Sequence, residues 1–267
     1  MLPSYPAHQM KRGFADVLEE EHRRNHVFLD EAVKRSKHWE AEMKKFRPCA
    51  AVLFIAANAV LSNIGTAQQG SFVPNLQELV HGNGWSFQNR DVSLAAEGSE
   101  QFVRFDAGPG VGIAWADGRT LSNGVIEVDL RGKNVIQKSF LGVAFHGVND
   151  STFECIYFRP FNFRRDDSTA RGHAVQYICA PSYSWHRLRT EHPGVYENRI
   201  QPPPEPDGWF HARIVLSKTE VSVFVNNSDS PALEVHRLSA QEGGLFGLMV
   251  GDDSGGDFKN VRFVPEK

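Results

Sequence analysis

The sequence predicts an all-β domain, an antiparallel two-sheet sandwich, over residues 68–267. Three observations lead there. Beyond Gln68 signals of helical periodicity nearly vanish. About a dozen short runs take their place, and the clearest have the period-2 alternation and aromatic enrichment of strands. Turn dipeptides then punctuate the runs, and many short strands with little helix make a sandwich.

Taken in order, the turns bound the strands. Asn83-Gly84 opens Trp85–Gln88; Gln101–Asp106 follows, and Asp117-Gly118 closes Gly112–Trp115. Asn123-Gly124 opens Val125–Arg131, and Asn149-Asp150 separates Leu141–His146 from Thr152–Arg159. After His173–Cys179, Asp207-Gly208 opens Trp209–Leu216, and Asn226-Asn227 closes Val221–Asn226. Ala232–Arg237 comes next, Gly243-Gly244 opens Leu245–Val250, and Phe258–Val264 ends the series. Each dipeptide supplies residues that tolerate positive φ or cap their own backbone. One long stretch, Ala180–Asp207, lacks a strand pattern. A connection of that length in a compact domain is usually a functional lid or an ordered crossover.

The chain has 267 residues, a net charge of −3 and 41% hydrophobic residues. That suits a folded domain and argues against nucleic-acid binding, which normally brings a basic domain. Upstream, three regions are distinguished: a charged, helix-prone extension over residues 1–42, a signal-peptide pattern over 43–67, and the sandwich over 68–267. Lys44, Lys45 and Arg47 precede the apolar run Cys49–Ile64, and Gly65 and Ala67 stand at −3 and −1 to a cleavage point before Gln68. This is the layout of an export signal. The run is short for a membrane span, and Asn58 and Asn63 interrupt it. Three explanations stay open for its position: a true start at Met43, a cytoplasmic tail on a signal anchor, or a core helix. The methionine directly before the basic head favours the first. An exported protein, periplasmic or extracellular and without a stable membrane span once cleaved, is the expectation.

Ser151–Ile178 concentrates the chemistry. Cys155, Tyr157 and Arg159 alternate with Glu154, Ile156 and Phe158; His173, Val175 and Tyr177 alternate with Ala174, Gln176 and Ile178. A hairpin closed near Arg159 and Gly172 sets residue 155 opposite 176 and Glu154 opposite Tyr177. Cys179 then lies about 10 Å along the strand from Cys155, too far for a disulfide. Neither face is cleanly apolar, which suits a strand lining a partly wet surface. Arg and Gln offer planar donors for paired sugar hydroxyls, and aromatic rings stack on sugar C–H faces. Arg159 neutralising Glu154 or Asp166 is the structural alternative.

The segments NGVIEVDLRG, FLGVAFHG, FRPFNF, HAVQY, DGWFHARIVLSKTEVSVFVNN and GLFGLMVGDDSGGDFKNVRF resemble the concanavalin A-like lectin/glucanase superfamily. More narrowly they are similar to LamG-like and DUF1080 (3-keto-disaccharide hydrolase) domains. The resemblance runs from about Phe72 to Phe263 and implies a jelly roll. It also implies a glycan partner, bound without turnover or hydrolysed; a non-catalytic adhesion module is the third possibility. Fold alone does not choose among them.

Candidate residues follow. For binding these are Tyr157, Arg159, Asn162, His173, Gln176, Tyr177 and Trp185, the last on the long connection beside Tyr183, His186, Arg187 and Arg189. For catalysis Glu154 or His173 would serve as general acid or base. Glu127 and Asp129 share a strand face as a glycosidase would want. The next residue on that face is Arg131, so a solvated strand is the better account. Asp252, Asp253 and Asp257 on a Gly-rich turn are candidates for Ca2+, though a plain turn fits the spacing better.

Overall fold

The computed structural model describes residues 71–266; the extension and signal-peptide assignments lie outside them. Fourteen strands form two seven-stranded antiparallel sheets. The first has the order β1-β4-β13-β6-β7-β8-β9 and the second β12-β11-β10-β5-β14-β3-β2. In chain order the strands are β1 (Trp85–Gln88), β2 (Val92–Glu97), β3 (Glu100–Phe105), β4 (Gly112–Ala116), β5 (Gly124–Arg131), β6 (Leu141–Asn149) and β7 (Thr152–Phe158). Then come β8 (Val175–Ala180), β9 (Glu197–Asn198), β10 (Phe210–Leu216), β11 (Glu220–Val225), β12 (Leu233–His236), β13 (Leu245–Val250) and β14 (Gly256–Pro265). The expected two-sheet sandwich is the observed one.

The second sheet shows the simple period of two. Ile126, Val128 and Leu130 of β5 are buried, and Glu127, Asp129 and Arg131 point the other way, partly exposed. Phe210, Ala212, Ile214 and Leu216 of β10 do the same. A sheet with one face in the core and one in water alternates in this way. Glu127 and Asp129 therefore sit on the solvent side, tied to Arg262 and to His211 with Asn260.

The first sheet is buried on both faces. Val143, Phe145, Ile156, Phe158 and Leu248 join the inter-sheet core. On the outer face Ile113, Trp115, Ala144, Phe153, Cys155, Tyr157 and Met249 form a second cluster. Gly142 faces Tyr157 in register, and a Cβ there would meet the Ile156 carbonyl oxygen at 2.1 Å. Only glycine permits that approach.

The hairpin register differs from the expected one. Cys155 lies opposite Ile178, Tyr157 opposite Gln176, and Glu154 opposite Cys179. The connection is not a tight turn but a 3-10 turn (Pro160–Asn162) and a short helix α2 (Ser168–Arg171), which shifts the pairing by two residues. A shift of two keeps every side chain on its expected face. It moves Cys179 beside Cys155 on the neighbouring strand, but facing the opposite side, and both thiols are free. The bridge is thus prevented by facing rather than by distance.

Elements without a sequence expectation are short or at sheet edges. β2 pairs with β3 as a polar edge hairpin. Helix α1 (Leu76–Val80) is capped by Asn75, whose Oδ1 accepts from Gln77 N at 2.9 Å, and it buries Leu79. The long connection holds helix α3 (Trp185–Glu191), capped by Ser184, and the two-residue β9. Among the described residues no helix is long and apolar enough to cross a membrane.

Candidate functional site

Glu154 and Arg159 emerge from β7 on opposite sides, and two separate polar clusters result. Glu154 points into the core and is 1% exposed. His146 Nδ1 lies 2.8 Å from its Oε1, Arg237 donates to it at 2.7 Å, and the Tyr177 hydroxyl donates to Oε2. Burial alone would push the Glu154 carboxyl up, but these hydrogen bonds outweigh it and hold the group below its ordinary value. Burial and the Glu154 charge push the Tyr177 phenol up. Arg237 follows β12 of the second sheet, so this cluster ties one sheet to the other. It corrects two expectations. Glu154, read as a general acid or base, is buried in a set of structural hydrogen bonds, and Tyr177 faces the core, bonded to Glu154 and Leu238 N.

The second cluster gathers on the outer face, around the start of β8. Arg159 is 5% exposed. It donates to the His173 carbonyl at 2.8 Å, the Tyr157 hydroxyl at 2.7 Å and Gln176 Oε1 at 3.0 Å. Its guanidinium also lies over the Tyr157 ring, 4.8 Å from the centroid. Asn162 Nδ2 reaches the same His173 carbonyl at 3.5 Å. The 3-10 turn carrying Asn162 is fixed from below by Phe163, which packs edge-on against Phe210. Burial pushes the Arg159 guanidinium down from its ordinary value and the Tyr157 phenol up to about 12.

β9 supplies the one carboxylate of this cluster. Gln176 pairs with Glu197 in register, so Glu197 shares the face of Gln176, Tyr157 and Arg159. It is 3% exposed, and Arg189 of α3 grips it as a fork at 2.8 and 2.6 Å. Arg159 comes no nearer than 3.8 Å. His173 Nδ1 lies 2.9 Å from Glu197 Oε2 but out of line for a hydrogen bond, leaving that buried nitrogen without a partner among the described residues. Burial lowers the His173 pKa; Glu197 opposes the effect, while Arg189 and Arg159 add to it. Neutral imidazole follows near pH 7.

Helix α3 completes the rim. Leu188 is 1% exposed and fastens the helix to the domain, whereas Trp185 remains 44% exposed. Arg189 stacks on Trp185, 5.0 Å from the ring centroid, while holding Glu197. Leu188 thus pins the long connection to the domain, and Trp185 does not.

Of the seven binding candidates, the structure gathers Tyr157, Arg159, Asn162, His173 and Gln176, puts Trp185 at the edge, and turns Tyr177 away. Arg159 pairs with neither Glu154 nor Asp166. Glu197 is the residue that sequence reasoning missed. Its only signal was a Tyr-Glu-Asn run inside an otherwise irregular connection. The acidic turn separates as well. Asp257 is gripped by Arg104 and Arg131, and Asp252 accepts from Gly110 N. Among the described residues no three His, Cys, Asp or Glu side chains converge to hold a metal ion.

No family model matches the chain, and no curated protein matches it. Similar solved structures are sandwiches. The carbohydrate-binding module CBM66 from Bacillus subtilis is 15% identical, with 67% of this chain and 95% of that chain covered and a TM-score of 0.48. A Bacillus subtilis protein with a galectin-like fold is 11% identical over 72% and 94%, with a TM-score of 0.46. The Ca2+-bound exoplasmic/lumenal domain of VIP36 is 12% identical over 69% and 84%, with a TM-score of 0.47. Likeness at this level says nothing of ligand or activity.

Proposed function

We propose that the protein is an exported glycan-binding domain whose ligand meets the rim formed by His173, Arg189 and Trp185, above the buried Arg159 cluster. The observation behind this is the pre-organised fork. Arg159 is locked by Tyr157, Gln176 and the His173 carbonyl, with Arg189 and Glu197 beside it and an exposed Trp185 at the rim. Planar donors and acceptors fixed before binding lower the entropy lost on capture, and a projecting indole offers a stacking surface. Export rests on the basic head and apolar run before Gln68.

Binding without turnover is favoured over a DUF1080-type hydrolase. Hydrolysis by the common route needs two carboxylates across the scissile bond. Among the described residues this cluster has one, Glu197, with both oxygens held by Arg189. A glycan array on the full-length protein, wild type beside Arg159→Ala, scored for retained ligand and released sugar, tests the proposal. Retention lost in the variant, with no release, is expected. Sugar release by the wild type would make it an enzyme.

A further inference from the structure

We infer that the Arg159 cluster is built for a sugar carrying an anionic substituent, a carboxylate or a sulfate ester. The inference deepens the glycan-binding proposal and rests on it.

Charge balance leads there. The cluster holds two guanidinium groups, Arg159 and Arg189, against one carboxylate, Glu197. That carboxylate commits both oxygens to Arg189, at 2.8 and 2.6 Å. Arg159 is left with neutral acceptors only: a backbone carbonyl, a phenol and an amide oxygen. At 3.8 Å from Glu197 it is within ion-pair range but beyond hydrogen bonding. A buried charge is normally paired, and here the pairing is incomplete. His173 adds a buried ring nitrogen on the same side, 2.9 Å from Glu197 Oε2 yet without a hydrogen-bond partner among the described residues. The members of the cluster that solvent reaches are His173 and Arg189, whose side chains are 24% and 33% exposed. An anion entering there would complete the pair through charge-assisted hydrogen bonds, which a neutral hydroxyl cannot match.

Two other arginine-rich places on the molecule are already balanced. Arg90, which lines a cleft of about 710 Å3, directs its guanidinium to the carbonyls of Gly108, Pro109, Gly110 and Gly251, and the Asp252 and Asp253 carboxylates supply its opposing charge. Arg104 and Arg131 share Asp257, and Arg131 also meets Glu97. Neither leaves a charge seeking a counter-ion.

The test is a binding titration of the full-length protein against matched pairs: oligogalacturonides with their methyl esters, and sulfated galactan oligosaccharides with their desulfated forms. Each is measured at about 0.05 and 0.5 M salt, where screening differs severalfold in range. The anionic member of a pair is expected to bind roughly tenfold tighter or more, with the preference shrinking at high salt and lost in Arg159→Gln. A preference confined to one pair identifies the substituent. The salt dependence is read on wild type, so the test stands even if the variant misfolds. Equal, salt-insensitive binding of neutral and anionic members would overturn this inference and leave glycan binding intact. No binding by any member would overturn both.

Discussion

Arg189 joins Trp185 to Glu197: one guanidinium stacks on the exposed indole and forks onto the buried carboxylate of β9. Through that side chain the long connection becomes part of the site rather than a strap beside it. Helix α3 then has two separable duties, anchoring through Leu188 and display through Trp185.

Those duties give the first prediction. Leu188→Ala empties a fully packed position and should cost about 2–5 kcal/mol in urea unfolding. Trp185→Ala should leave stability within about 0.5 kcal/mol and weaken glycan binding by about tenfold. If Trp185→Ala destabilises as much as Leu188→Ala, the indole is packing, not display.

Glu154 predicts a purely structural phenotype. Removing it in Glu154→Ala strands Arg237, whose side chain is 4% exposed, and should destabilise by about 3–5 kcal/mol. Ligand affinity of the folded variant should stay at the wild-type value. Loss of affinity with unchanged stability would return Glu154 to the binding site.

The same carboxyl sets an acid response. Its folded pKa is depressed, so its contribution is present above the ordinary value near 4.5 and drains away as pH falls through the lower, folded value. Unfolding free energy followed from pH 6 downward should therefore decline more steeply in wild type than in Glu154→Gln. Parallel curves would contradict the assignment.

How much of this was legible beforehand follows from which forces are local. Period and turn chemistry are local, so the strands at Trp85–Gln88 and Leu245–Val250 emerge with their observed ends. The faces of Glu154 and Arg159 were legible too, because alternation survives a two-residue register slip. The register itself was not, since it depends on a 3-10 turn and helix α2 between β7 and β8. Nor, Tyr177 apart, were the partners of Glu154. Arg237 is 83 residues away in sequence, and nothing in either neighbourhood signals the other. Edge elements such as β9 carry too few residues to show a period, which is why Glu197 stayed hidden.

Histidine gives a pH prediction for binding. His173 faces Glu197 from β9, Arg189 from α3 and Arg159 at the end of β7, and its pKa is lowered. Protonation on acidification adds a positive charge beside the anion pocket. Affinity for oligogalacturonides should thus rise as pH is lowered from 7.5 towards 5, and this rise should vanish in His173→Gln. A pH-independent wild type would place His173 outside the pocket.

The most direct measurement is a crystal structure of the full-length protein with a bound oligosaccharide. Density for a sugar within hydrogen-bonding reach of Arg159 and His173, against Trp185, is the expected result. A sugar seated instead in the Arg90 cleft or on the solvent face of the second sheet would contradict the assignment of the site.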